Sequence, residues 1–240
     1  MVKSRIILLL GIVVPLQSFA NPGQIHQQLL TLLIPTTTQE ASSQKDITTR
    51  YYKSDFEPLG LIYLDALEYH CNKDLLPQIK PENLSLQDRK NLEYYEPLIK
   101  QNYESPWYMK YISDRIGYGI FADDDIPQGQ LIAEYLGIII SKEIMMQTGC
   151  YDMKYTWSIP APPYSTDPAF IVYVDAKKSC NFTRFINHNY TPNVKAAVIY
   201  ADEGWHMLYI ACKPIKKDEQ LLVDYGKGYW ANSTPDDLQV

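Results

Sequence analysis

RFINHNYTPNV, from Arg184 to Val194, is the stretch on which the reading of this chain turns. It sets Asn187-His188 and then Thr191-Pro192-Asn193 between the apolar Phe185, Ile186 and Val194. Polar side chains held among apolar ones in this way either face an internal cavity or satisfy one another in a core. A lone histidine favours the second alternative, and the balance shifts only with what lies on either side.

Downstream stands PIKKDEQLLVDYGKGYW, Pro214 to Trp230: a charged turn, an apolar strand, Asp224-Tyr225-Gly226, then Tyr229 and Trp230. Upstream stands RIGYGIFADDDIPQGQLIAEYLG, Arg115 to Gly137, with Gly117 and Gly119 about Tyr118 and a turn at Asp125 to Gly129. Two glycines let backbone approach a ligand closely, and they equally make an ordinary tight turn.

From Tyr111 onward short β-type runs are punctuated by Gly, Pro, Asn and Asp, as in Gly119 to Ala122 and Leu131 to Ile140, which predicts a compact, mainly β domain. The proline-rich Ile159 to Phe170 is excluded from a central strand and predicts a loop at the rim. The preceding part has helical periodicity: Gln24 to Ile34, stopped by Pro35, a polar linker from Thr36 to Arg50, then segments around Leu59 to Leu76 and Ser85 to Tyr103. Ser85 is the expected N-cap of the last, with Asp88 in its first turn. The expected organisation is therefore α+β: a leader over 1–20, a helical N-terminal region with linker over 21–110, the β domain over 111–230 and a tail over 231–240.

The three blocks in this order, with Tyr155-Thr156-Trp157 and Tyr173-Val174-Asp175-Ala176, resemble the SET-domain family of lysine methyltransferases over Tyr111 to Trp230. The resemblance implies a β-clip fold whose C-terminal segment threads under a loop, bringing Arg184 to Asn193 beside Asp224 to Gly226. It implies S-adenosylmethionine as cofactor, held by Gly117, Tyr118, Gly119, Arg184, Asn187, His188, Tyr225 and Trp230. Tyr225 is the implied catalytic tyrosine and Tyr155 the second residue at the reaction centre; no metal is implied. The chemistry suits these residue types, because a lysine amine with an ordinary pKa of about 10.4 must enter neutral, which desolvation and a nearby positive charge both favour. A phenol can then orient it.

Two departures from the family carry consequences. Tyr190 stands where the family often has a cysteine, and none follows Cys212, so the zinc-stabilised closure of the lysine channel is lacking. Tyr229, Trp230 and the tail, or the N-terminal part, must close it. Val223, two before Tyr225, stands where the family often has Phe or Tyr, which implies room for a second or third methyl unless Trp157 or another ring fills the space.

Composition narrows the partners. In 240 residues, 22 Lys and Arg face 28 Asp and Glu, a formal charge of −6 that offers a phosphate backbone no general attraction and suits a basic peptide, possible histone substrates included. Direct nucleic-acid binding is not expected. Lys3 and Arg5, the apolar run Ile6 to Val14 and the small residues Ser18 and Ala20 read as an export signal, too short to span a bilayer, leaving no membrane association after cleavage. The sequons at Asn181 and Asn189 fall on the proposed cofactor loop, which argues against a eukaryotic secretory route and for a bacterial exported protein that meets its target in a host cell. The four cysteines have no zinc spacing. Two other classes compete: a SET-like peptide-binding module without catalysis, and an envelope structural protein that explains none of the three blocks.

Overall fold

The computed structural model describes residues 6–9, 12–15, 46–71, 84–148, 153–160, 171–201 and 204–232. The chain divides into two compact units, Met1–Lys45 and Asp46–Val240. In the first, β1 (Ile6–Leu9) and β2 (Ile12–Pro15) pair antiparallel. The helix expected at Gln24 to Ile34 and the tail beyond Asn232 lie outside the described residues.

In the second unit the helix expected around Leu59 to Leu76 is corrected over its described part. Two 3-10 turns, Lys53–Asp55 and Glu57–Leu59, end at Gly60 with φ +73°. The short strands β3 (Ile62–Tyr63) and β4 (Glu68–Tyr69) follow. Tertiary pairing overrides the local pattern here: Ile62 N–H donates to Lys178 O and Leu64 N–H to Cys180 O. By contrast α1 (Leu86–Lys100) forms where its signals predict, with Ser85 Oγ accepting from Asp88 N–H at 3.1 Å while Asp88 Oδ2 accepts from Ser85 N–H. Tyr95 and Ile99 of α1 pack on Leu131, Ile199, Leu208 and Ile210.

The rest is β. β5 (Trp107–Ser113) and β6 (Gly117–Ala122) make an antiparallel hairpin. A second sheet runs in the order β4-β8-β10-β9, with β8 at Ile138–Ser141, β9 at Thr156–Pro160 and β10 at Ile171–Asp175. Ile159 and Pro160, expected in a rim loop, instead extend β9, which is an edge strand where proline is tolerated; 161–170 lie outside the described residues. α2 (Lys142–Thr148) follows β8 directly, and β11 (Ser179–Cys180) pairs parallel with β3. The third sheet has the order β12-β15-β13-β14-β7, with β7 at Leu131–Glu134, β12 at Asn187–His188, β13 at Val194–Ala201, β14 at Gly204–Ala211 and β15 at Leu222–Val223.

One core joins these layers. It includes Phe56, Trp107, Met109, Ile132, Phe182 and Val223, with the Trp107 and Phe182 rings stacked at 4.6 Å. Each such fully buried side chain contributes about 1.5–3 kcal/mol. The core also reaches outside the stretch from Tyr111, since Tyr51 pairs with Met109 and Phe56 packs on Phe185. Buried Asn193 ties two of the quoted blocks together. Its Nδ2 donates to Gln220 O at 2.8 Å and its Oδ1 accepts from Leu222 N–H at 2.8 Å, which seats β15 between β12 and β13.

Candidate active site

β12 and β15 run parallel, Asn187 opposite Leu222 and His188 opposite Val223, so the chain leaves both strands at the same end. There Tyr225 N–H donates to His188 Nδ1 at 3.1 Å, and the Tyr225 hydroxyl donates to Ile186 O at 2.9 Å. Burial, with smaller contributions from Tyr229 and Tyr155, raises the Tyr225 phenol above its ordinary pKa, so it works as a neutral hydroxyl. Burial also lowers the pKa of His188; the Asp224 carboxylate, 3.6 Å from Nδ1, opposes this but is outweighed. With Nδ1 accepting, the neutral ring carries its proton on Nε2.

That Nε2 has no partner. Nor do Arg184 Nε and Trp230 Nε1, and all three are buried. An unsatisfied buried donor costs about 1–3 kcal/mol, so each of the three is a candidate to meet a ligand's acceptor. Two of them belong to one aromatic cluster: the His188 ring lies 4.9 Å from Trp230 and 4.5 Å from Tyr190, and Tyr225 stacks with Trp230 at 6.3 Å. The Arg184 guanidinium sits 3.8 Å over the Tyr155 ring. Aromatic rings carrying unpartnered N–H donors suit a purine nucleoside with a charged tail, and S-adenosylmethionine is of that kind.

The remaining expected residues are placed as follows. Asn187 Nδ2 donates to Tyr118 O at 3.1 Å, so its amide clamps β6 to β12. Gly117 has φ +78° and open space around it, a turn position; Gly119 is packed so closely that a Cβ would lie 2.9 Å from Asn187 Nδ2 and 2.7 Å from Gln220 Nε2. The Tyr118 ring packs in a cluster with Tyr51, Tyr111 and Phe185. Asn181, head of the first sequon, is 1% exposed, with its amide bonded to Glu134 O and Thr183, so the folded site offers no acceptor for a glycan.

Two residues at the site carry no motif of their own. The Tyr135 hydroxyl donates to Tyr155 O at 2.9 Å, and Tyr209 Oη accepts from Trp157 Nε1–H at 2.8 Å. In the sequence both are aromatics in alternating strands, indistinguishable from core. Cys71, Cys180 and Cys212 are free thiols, and no group of three His, Cys, Asp or Glu placed for a metal occurs among the described residues. No helix among the described residues is long and apolar enough to cross a membrane.

Comparison with known proteins agrees with this geometry. Residues 117–226 match the SET domain family. The chain is 29% identical over 115 residues to a histone-lysine N-methyltransferase EZH2 of Chaetomium thermophilum, covering 47% of this chain and 8% of that protein. It is 29% identical over 123 residues to the putative histone-lysine N-methyltransferase ASHH4 of Arabidopsis thaliana, covering 47% and 31%. A histone-lysine N-methyltransferase of Candida albicans, H3 lysine-36 specific, is 30% identical over 121 residues, covering 50% and 14%. The chain thus spans less than a third of each of these relatives. The solved structure of an ATXR5 SET domain in complex with histone H3 di-methylated on R26 superposes with a TM-score of 0.54 at 21% identity, covering 72% of this chain and 84% of that one. The matched region therefore resembles a SET domain in sequence and shares its mainly β fold with few helices.

Proposed function

We propose that this chain is a protein-lysine N-methyltransferase that takes its methyl group from S-adenosylmethionine and acts on a basic protein, with histones the first candidates. The observation that carries the proposal is the set of unpartnered buried N–H groups on Arg184, His188 and Trp230, the last two on rings that pack against half-buried Tyr225. The histone-lysine methyltransferase names of the relatives and the H3 complex of the structural neighbour support the substrate class. The order β12-β15-β13 supports the threaded C-terminal segment.

Arg184, His188 and Trp230 hold the cofactor in this reading, with Asn187 keeping the Tyr118 backbone at its edge. When bound, the cofactor would supply a methyl group from its sulfonium to the amine lone pair, with the electron pair of the broken C–S bond kept by sulfur and the amine's surplus proton lost on release to solvent. The chain's own groups position and exclude water. The Tyr225 hydroxyl, held neutral, orients the amine with the Ile186 carbonyl, and the rings of Tyr155, Tyr229 and Trp230 keep the space dry so that the amine enters uncharged.

Calorimetry with S-adenosylmethionine and transfer of labelled methyl to core histones test this. A chain that binds the cofactor and labels no protein in a host proteome is the peptide-binding module instead. The charged start, apolar run and small residues before Asn21 support export from a bacterium and action in a host cell; an exported product that still begins at Met1 would count against it.

A further inference from the structure

His206, on β14, lies between two oxygens: its Nδ1 is 2.7 Å from Glu134 Oε1 and its Nε2 is 2.9 Å from Ala201 O. A peptide carbonyl only accepts, and so does an ionised carboxylate. A neutral imidazole has a single N–H and would turn a lone pair on one of the two oxygens. The pair is therefore satisfied only when it holds one proton more than a neutral ring beside an ionised carboxylate, wherever that proton sits between Nδ1 and Oε1. The two side chains are 12% and 13% exposed, so water is a poor substitute for the missing hydrogen.

The groups around the pair are committed elsewhere or neutral. From β4, the Tyr69 hydroxyl and His206 Nε2 each stand 3.2 Å from where a Cβ on Gly204 would lie. Burial, and then the Glu134 charge, push the Tyr69 phenol up to about 12, and burial also raises the Cys71 thiol. Glu134 borders a cavity of about 140 Å³ that Glu104 and the Lys53–Asp65 ion pair also line, and the Glu104 carboxylate accepts from the Tyr63 hydroxyl and Trp107 Nε1–H. On α1, which covers this sheet through Tyr95 and Ile99, Glu96 and Lys100 pair with each other. Asp202 and Glu203, between Ala201 and Gly204 in sequence, lie outside the described residues.

What the pair holds is the end of β7. The Glu134 carbonyl accepts from Asn181 Nδ2 at 2.8 Å, and Leu136 N–H donates to Asn181 Oδ1. That same oxygen accepts from Thr183 and caps the 3-10 turn Phe182–Phe185, which carries Arg184. Between Glu134 and Leu136, the Tyr135 hydroxyl donates to Tyr155 O at 2.9 Å. The end of β7 thus reaches both partners of the contact in which the Arg184 guanidinium lies 3.8 Å over the Tyr155 ring.

We propose that His206 and Glu134 are positioning residues: protonated, the pair latches the end of β7 and keeps Arg184 and Tyr155 in place for the cofactor, and the site slackens as the proton leaves. The proposal rests on the methyltransferase reading above for the identity of the ligand. The unfolded chain releases a histidine proton at about 6.5 and the folded pair only at higher pH. Its contribution is therefore fully present below about 6.5 and is lost as pH rises through the folded value, opposite in sign to that of His188.

The full chain is followed from about pH 6 to about pH 9.5. Long-range proton–nitrogen NMR spectra, with the His206 signals assigned by their loss in His206→Gln, are expected to show both ring nitrogens protonated at about pH 7.5, where an ordinary histidine is mostly neutral. In Glu134→Gln the new amide can donate to Nδ1 of a neutral ring whose Nε2–H still meets Ala201 O, so the contacts are kept and the titration is removed. The wild type is expected to lose melting temperature more steeply on the alkaline side than Glu134→Gln. Its calorimetric affinity for S-adenosylhomocysteine is expected to fall about five-fold or more relative to the variant, the lower end of coupling between linked sites. A singly protonated His206 at about pH 7.5 overturns the protonated pair, and affinities that follow pH in parallel in the two proteins overturn its hold on the site. If neither binds at any pH, the cofactor reading fails, and the spectra and melting curves still decide whether the pair is a protonated latch.

Discussion

Tyr225 and His188 are joined by a hydrogen bond in which the tyrosine's backbone N–H donates to the imidazole Nδ1 at 3.1 Å. The ring that positions the proposed catalytic tyrosine therefore also carries the buried, unpartnered Nε2. Charging His188 would place a proton on Nδ1 and break the first of these contacts.

A pH dependence follows from the lowered pKa of His188. The unfolded chain takes up this proton near 6.5 and the folded chain only at lower pH, so the histidine's contribution is fully present above 6.5 and is lost as pH falls through the depressed value. Melting temperature is expected to drop from about pH 7 to about pH 5 more steeply in the wild type than in His188→Gln. Parallel curves for the two would remove His188 as the cause.

Tyr225→Phe separates chemistry from binding. It deletes a hydroxyl bonded to the carbonyl of Ile186 and leaves the ring stack with Trp230 in place. Turnover on a verified substrate is expected to fall at least 100-fold, on the order of a lost transition-state contact. Calorimetric affinity for the cofactor should change little, and stability by about 1 kcal/mol. Full turnover by the phenylalanine variant would assign the role elsewhere.

How much of this was legible in the sequence differs from residue to residue. Asn187, His188 and Tyr225 announce themselves because polar groups in an apolar strand context need partners, and the structure brings them together. α1 was legible because Ser85 and Asp88 cap it locally. The segment after Leu59 was not: its apolar residues fit a helical period, but its backbone partners are Lys178 and Cys180, far along the chain. Tyr135 and Tyr209 were invisible for the same reason, since their meaning comes from cross-strand register and not from neighbours in sequence.

Asn193 carries more of the architecture than its exposed loop neighbours suggest. Its side chain bonds Gln220 O, Leu222 N–H and Glu219 Oε1, while its own backbone N–H donates to Leu222 O. Asn193→Ala would strand the Leu222 N–H on β15 and the Gln220 carbonyl just before it, a loss of about 2–6 kcal/mol at about 1–3 kcal/mol for each unsatisfied group. Denaturant titration measures it. A loss under about 0.5 kcal/mol, ordinary for a surface change, would show that water replaces the amide.

Gly117 and Gly119 look alike in sequence and predict different failures. Gly117 has φ +78° and nothing near its missing Cβ, so Gly117→Ala acts through backbone conformation alone, at a cost of about 1–2 kcal/mol. Gly119 lies in β6, and the Cβ of an alanine there would sit 2.5 Å from Ile112 Cδ1, 2.7 Å from Gln220 Nε2 and 2.9 Å from Asn187 Nδ2. These side chains must give way, and the one with least freedom is Asn187, because its amide is already committed to the carbonyl of Tyr118. Overpacking of this kind costs about 1–3 kcal/mol, similar to the first variant, so stability will not tell the two apart. Cofactor affinity will. Displacing Asn187 shifts the start of β12 and with it His188, whose Nε2 is buried and unpartnered, whereas an alanine at Gly117 meets nothing within 4 Å. Calorimetry with S-adenosylhomocysteine is expected to show a larger loss of affinity for Gly119→Ala than for Gly117→Ala at matched loss of melting temperature. Equal losses of affinity would mean that the Tyr118 backbone reaches the cofactor through the turn and not through the Asn187 clamp.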